Sequence, residues 1–346
     1  MLRRRSQLHV EMLEDRSVPA VTVLGLNTAD IMITGDNQSN DINITMTNQG
    51  IEVQANGATT LALDPNTPSG WVVTNTSTLI VLNPNAPINQ SPTLDNLFVN
   101  MQNGDDVVTA TSLQANGSGH FMMGNGNDIL RIGACRFGNN LVIRDPSGND
   151  TVVIDNTTVG VNTYIYLTSG LDRVFIAGNG TVFGNDLFIN TAGGNDVVRF
   201  IPGLSQVGNN LLIYTGGGND RVIVNNGTSG AATLQVLGTT VIRTDVGNDL
   251  VRFGTVSSTV GGPTVDLQTT IIDTGDNNDV IYMEDAIMSL LIALLGNGDD
   301  TVLGNWGASN VTVGPGSLLD GGNHVSGDVL PTSWTAPANL TVVNFP

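Results

Sequence analysis

Nine aspartates recur in this 346-residue chain in one local setting, each closing a turn and opening an alternating apolar strand. They are Asp106, Asp128, Asp150, Asp172, Asp196, Asp220, Asp249, Asp279 and Asp300. The clearest copy is Gly216-Gly217-Gly218-Asn219-Asp220-Arg221-Val222-Ile223-Val224. A carboxylate repeated in this way either holds a cation or accepts hydrogen bonds from turn N–H groups, as Asp and Asn commonly do. If the copies stack about 4.8 Å apart, neighbouring charges repel by roughly 1 kcal/mol in water and by about 3–4 kcal/mol at an effective dielectric of 20. Over all the neighbouring pairs this rivals a typical folding stability of about 5–15 kcal/mol, so something must offset it. The glycine in front of the pair supplies a positive φ, and Asn277, which replaces it once, tolerates the same conformation.

The elements that position these carboxylates follow from the spacing. Successive turn aspartates lie 21 to 30 residues apart, a period of the length that marks solenoids. A second, weaker block precedes each turn, as in Phe137-Gly138-Asn139-Asn140-Leu141-Val142-Ile143 and Val207-Gly208-Asn209-Asn210-Leu211-Leu212-Ile213, giving two marked strands and two marked turns per coil. Alternate strand residues face opposite ways. Val222 and Val224 therefore face inward with their equivalents Leu130/Ile132, Val152/Ile154, Val174/Ile176, Val198/Phe200 and Val251/Phe253, while Arg173, Arg199, Arg221 and Arg252 face out. Asp220 shares the inward parity, so its carboxylate turns into the bend. The expected fold is all-β: a parallel β-solenoid, right-handed because parallel crossovers almost always are, with about nine or more coils of roughly 22–30 residues in a rod of roughly 40 Å.

The chain divides into a leader at 1–20, irregular β coils that cap the array at 21–92, the repeat array at 93–304, and a C-terminal cap and tail at 305–346. Ser39-Asn40-Asp41-Ile42-Asn43-Ile44 looks like a degenerate first copy, and Ala286–Leu295 reads as a strand within the repeat frame. The longest spacings come from links around 225–235 and 254–268, and the loop 254–263 is the best candidate for a contact site.

Composition narrows the function. Acidic residues number 31 against 12 basic ones, all of them arginine, for a formal net charge of −19. Such a surface repels nucleic acid and attracts cations. Cys135 is the single cysteine, so neither an intrachain disulfide nor a cysteine-based zinc site can form, and it reads as a small buried apolar residue. No apolar run is long enough to span a bilayer.

Two resemblances add to this reading. The repeat resembles the glycine-rich nonapeptide of secreted RTX (haemolysin-type) proteins, departing in Thr215–Ile223 only at the first glycine. That resemblance implies Ca²⁺ bound in a column by the nine aspartates named above, and oxygen-only ligands suit a hard cation. The departures are that the aspartate turn occurs once per coil, that its counterpart carries Asn139, Asn185 and Asn209, and that Pro146, Thr168 and Asp245 replace a glycine. At the N-terminus, Leu13-Glu14-Asp15-Arg16 and Pro19-Ala20 after an Arg-rich start resemble the leader on many secreted or surface proteins of planctomycete bacteria, which implies export.

The expectation is a non-enzymatic structural repeat protein, secreted or at the cell surface, binding Ca²⁺ along one edge or capping its turns with the same carboxylates. One alternative is a polysaccharide-acting enzyme of the pectate-lyase type, which would need a localised acid and base constellation. Arg131, Arg199 and Arg252 are two or more coils apart and read as a solvated face, and His120 and His324 are far apart in sequence. The other alternative is an adhesin or filament former, since a solenoid exposes strand edges at its ends. The partners expected are other surface proteins, polysaccharide, or a second copy stacked end to end.

Overall fold

The computed structural model describes residues 20–26, 28–85, 92–178, 180–201, 205–224, 234–254, 265–284, 286–304, 311–330 and 339–345. The loop 255–263 singled out as a contact site, most of the link 225–235 and most of the leader lie outside the described residues.

The expected parallel β-solenoid forms. Strands after the aspartate turn stack in parallel and in register from Asp41–Met46 through Val107–Thr111, Ile129–Gly133, Thr151–Asp155, Arg173–Ala177, Val197–Phe200, Arg221–Val224, Leu250–Phe253 and Val280–Met283 to Thr301–Gly304. Register follows the pattern that sequence parity predicts. Leu130, Val152, Val174, Val198, Val222 and Val251 are all buried, as are their partners two residues on. A one-residue slip in any strand would turn this set out to solvent, so the alternation itself locks the stack.

The coils from Val107 to Tyr214 hold three strands rather than two. A short strand sits between the two longer ones, as at Gln114–Ala115, Arg136–Phe137 and Thr158–Val159, and these too pair in parallel. Only one inward side chain marks each of them, Ala115, Phe137 or Val159, so they show no period in the sequence. The bend Gly138-Asn139-Asn140 separates this short strand from the strand Leu141–Asp145 that follows. Further along, the two merge into single long strands, Leu234–Arg243, Val265–Asp273 and Ala286–Leu294.

The core is a stack of aliphatic residues with an inner row of rings at Phe121, Phe137 and Phe183, all fully buried. Cys135 is buried with it, 3% exposed, and burial pushes its thiol up to about 11. At the N-terminal end the strand Asp30–Thr34 lies parallel to Leu97–Asn100, so residues 31–45 make two sides of a first coil. Antiparallel strands cover its edges, with Ala20–Leu26 on one sheet and Ile51–Ala55, Leu79–Leu82 and Val72–Asn75 on the other. At the far end Ser317–Asp320 and Leu340–Val343 continue the stack.

The aspartate column and a candidate metal centre

Each turn aspartate is set by the residue two places before it. At Gly218 φ is 140°, a region open to glycine, and a Cβ there would collide with the carbonyl oxygen of Gly194 in the preceding coil. Gly104, Gly126, Gly148, Gly170, Gly194 and Gly247 share this conformation, which brings successive turns into backbone contact. Asn277 holds the position with φ at 88°.

The structure brings all nine aspartates into one buried column, none more than 2% exposed. Oδ1 of each accepts the backbone N–H of the equivalent residue in the preceding coil. Asp106 N–H donates to Asp128 at 2.7 Å, Asp128 to Asp150 at 2.9 Å, Asp150 to Asp172 at 2.9 Å and Asp172 to Asp196 at 2.9 Å. The chain of bonds continues from Asp196 to Asp220 at 2.8 Å, Asp220 to Asp249 at 2.7 Å, Asp249 to Asp279 at 2.9 Å and Asp279 to Asp300 at 2.8 Å. It extends past both ends of the expected set. Asn40 N–H donates to Asp106, and Asp300 N–H donates to Asp328.

One oxygen of each carboxylate is thus satisfied and the other is not. Oδ2 of all nine aspartates and of Asp328 is buried without a hydrogen-bond partner. Burial is the largest cause pushing these groups up, and at Asp106, Asp128, Asp172, Asp220, Asp279 and Asp300 a neighbouring carboxylate of the stack adds to it. Asp220 and Asp300 rise from 3.8 to about 6, Asp106 and Asp172 to about 7, and Asp279 to about 8. The neighbouring N–H donors, and at Asp220 and Asp279 the hydroxyls of Thr215 and Thr274, pull the other way. The column therefore offsets its charge by two means, amide donors and partial protonation.

A second ladder runs along the exposed side of the same turn in the opposite sense. Asn127 N–H donates to Asp105 Oδ1, Asn149 to Asn127 and Leu171 to Asn149, and the ladder resumes from Asn195 through Asn219, Asn248 and Asn278 to Asp299. Leu171 has no side-chain acceptor to pass on. At the counterpart bend a third ladder passes through Asn96, Ser118, Asn140, Asn162, Asp186 and Asn210. Its acceptors thus include Asn140, Asn162 and Asp186, and the side chains of Asn185 and Asn209 donate into it, to Asn162 Oδ1 at 2.7 Å and Asp186 Oδ1 at 2.8 Å.

One rung differs from all others. The strand Leu141–Asp145 ends on Asp145, whose position in neighbouring coils holds Met123 and Leu167 and further along Thr215. Asp145 is 2% exposed, and its Oδ1 has no hydrogen-bond partner. It meets Asp128 and Asp150 so that one oxygen from each lies within 4.8 Å of the other two. Burial, and then the charges of Asp150 and Asp128, drive the Asp145 carboxyl far up. Three carboxylates this close require shared protons or a cation, because each charged pair costs about 3–4 kcal/mol at an effective dielectric of 20. Asp145 also lines a cavity of about 660 Å³ with Arg144, Tyr166 and Gln102.

No protein-family model matches this chain, and no curated protein or solved structure is significantly similar to it.

Asn40, Asp145 and Asp328 are the column and cluster members that the turn pattern does not mark. Asn40 sits in the degenerate copy at 39–44. Asp328 follows Gly327 and precedes Val329-Leu330, but its turn has Ser326 where the repeat has glycine. An acid on the inward parity of an otherwise apolar strand is the signal for Asp145.

Proposed function

We propose that the chain is a non-enzymatic structural rod of the cell surface or the secreted medium, which binds one Ca²⁺ or similar hard cation at Asp128, Asp145 and Asp150. The observation that carries the structural reading is the unbroken ladder from Asn40 to Asp328, in which every turn carboxylate is committed to the backbone of its neighbour. These groups are 0–2% exposed from Asp106 to Asp300, where a polymeric substrate does not reach them. A carboxylate turned into the core and hydrogen-bonded to an amide serves coil spacing. Along the rest of the edge one oxygen of each carboxylate is taken up by an N–H group.

The cation is supported at a single place because, among the described residues, a third acid joins two rungs there, with an unpartnered oxygen on each. All-oxygen ligation suits a hard divalent ion. Binding to the folded state alone stabilises by about 2.7 kcal/mol at a hundredfold excess over Kd. Thermal unfolding of the chain in calcium and in chelator tests this reading, with a higher Tm in calcium expected. Coincident curves with no co-purifying metal would remove the cation and leave the rod; reproducible cleavage of a polysaccharide would remove the non-enzymatic reading.

A further inference from the structure

The outer face of the aspartate-side sheet carries its own charge pattern. Four successive strands, Arg173–Ala177, Val197–Phe200, Arg221–Val224 and Leu250–Phe253, present Arg173, Arg199, Arg221 and Arg252, one per coil. Register places them in two columns. Arg173 and Arg221 flank Val197 in one, and Arg199 and Arg252 flank Ile223 in the other. The guanidinium groups therefore zigzag up the rod, alternating sides with every rise of about 4.8 Å. None of the four strands contains an acid, in a chain with 31 of them. Among the described residues the ion pairs are Arg243 with Asp273 and His324 with Asp328, so none of these four arginines is paired with a carboxylate. Nε of Arg199 is buried without a hydrogen-bond partner, and Arg252 lies over the Tyr282 ring at 4.9 Å. Each arginine thus has an apolar residue, not a carboxylate, directly opposite it on the neighbouring strand within this set.

We infer that this face binds an extended acidic polysaccharide with one carboxylate per sugar. The partner must be anionic, because the face is the cationic strip of an otherwise acidic molecule. It must be extended and flat, because the arginines lie along a straight sheet and not in a pocket. Its charge must repeat once per coil on alternating sides, a spacing comparable to one pyranose unit in a chain whose successive rings face opposite ways. Between the arginines the outward residues are Phe175, Val197, Ile223 and Leu250, apolar surface suited to the C–H faces of sugar rings. Guanidinium forks supply paired donors to each carboxylate. A nucleic acid brings denser charge, against which the net charge of −19 of the whole chain weighs more heavily.

The test is retention of the full chain on polygalacturonate by affinity electrophoresis, in chelator so that no cation bridges acid to acid. Retention is expected, weakening as salt rises. Arg199→Gln with Arg221→Gln should weaken it at least about tenfold, corresponding to loss of one charge-assisted contact or more. Arg136→Gln with Arg243→Gln removes the same charge from the other sheet and should leave retention unchanged, and a neutral glucan should not retain the chain. All four substitutions replace outward side chains, so an unaltered Tm in both double variants shows that the rod is intact. No retention, equal loss in both double variants, equal retention on neutral glucan, or tighter binding to single-stranded DNA would each overturn the inference. Self-association that disappears with Arg199→Gln and Arg221→Gln would likewise overturn it in favour of a second copy of this chain.

Discussion

Asp220 shows what a single rung contributes. Its Oδ1 accepts the Asp196 N–H at 2.8 Å while Oδ2 stays dry. Asp220→Ala leaves that buried amide unpaired and should cost about 1–3 kcal/mol by denaturant unfolding. Asp220→Asn keeps an acceptor and sheds the charge, so at pH 8 it should retain more stability than the alanine variant; the reverse order would show that the acceptor is not what the rung needs. Asp145 is the opposite case. It makes no ladder bond, occupies a place that Leu167 fills one coil later, and is explained by what it holds together with Asp128 and Asp150.

The turn and its strand form the next unit, and glycine usage there follows backbone geometry. Gly193 and Gly194 are adjacent, yet a Cβ at Gly193 would meet nothing closer than the Gly217 oxygen at 3.8 Å, whereas one at Gly194 would collide with the Gly170 carbonyl at a φ of 144°. Gly193→Ala should therefore change stability by less than about 0.5 kcal/mol, and Gly194→Ala should cost about 2–5 kcal/mol. Comparable melting curves for the two would contradict the stacking account. This is also where the sequence was most legible. The glycine, the aspartate and the inward pairs such as Val222 and Val224 repeat at every coil, so turn, strand and parity could be read directly. The short strands around Phe137 were not legible, because two residues cannot display a period. At the counterpart bend the polar pairs were legible, but not which member accepts: Asn140, Asn162 and Asp186 do, while Asn185 and Asn209 donate into the same ladder.

At the scale of the whole molecule, the column makes the rod a proton-linked structure. Asp220, Asp279 and Asp300 have folded values of about 6, 8 and 6 against 3.8. Values raised on folding mean that the native state binds more protons than the unfolded chain between these limits. Their contribution to stability is complete below about pH 4 and is lost as pH rises through about 6 to 8. In chelator the Tm should thus be higher at pH 5 than at pH 8, opposite in sign to ordinary acid denaturation; a Tm that climbs over this range would contradict the protonated column.

Calcium should act in the other direction, since its ligands must be ionised. Asp328 and Asn40 extend the ladder beyond the nine marked rungs because stacking, not the glycine motif, decides membership. The number of cations then separates a spine from a metal column. The most direct measurement is a calorimetric Ca²⁺ titration at pH 8 of the chain and of Asp145→Leu. A spine with one metal centre predicts saturation at about one ion per chain and loss of binding in Asp145→Leu with the fold retained. Uptake of many ions per chain, unaffected by that substitution, would contradict it and return the column to calcium.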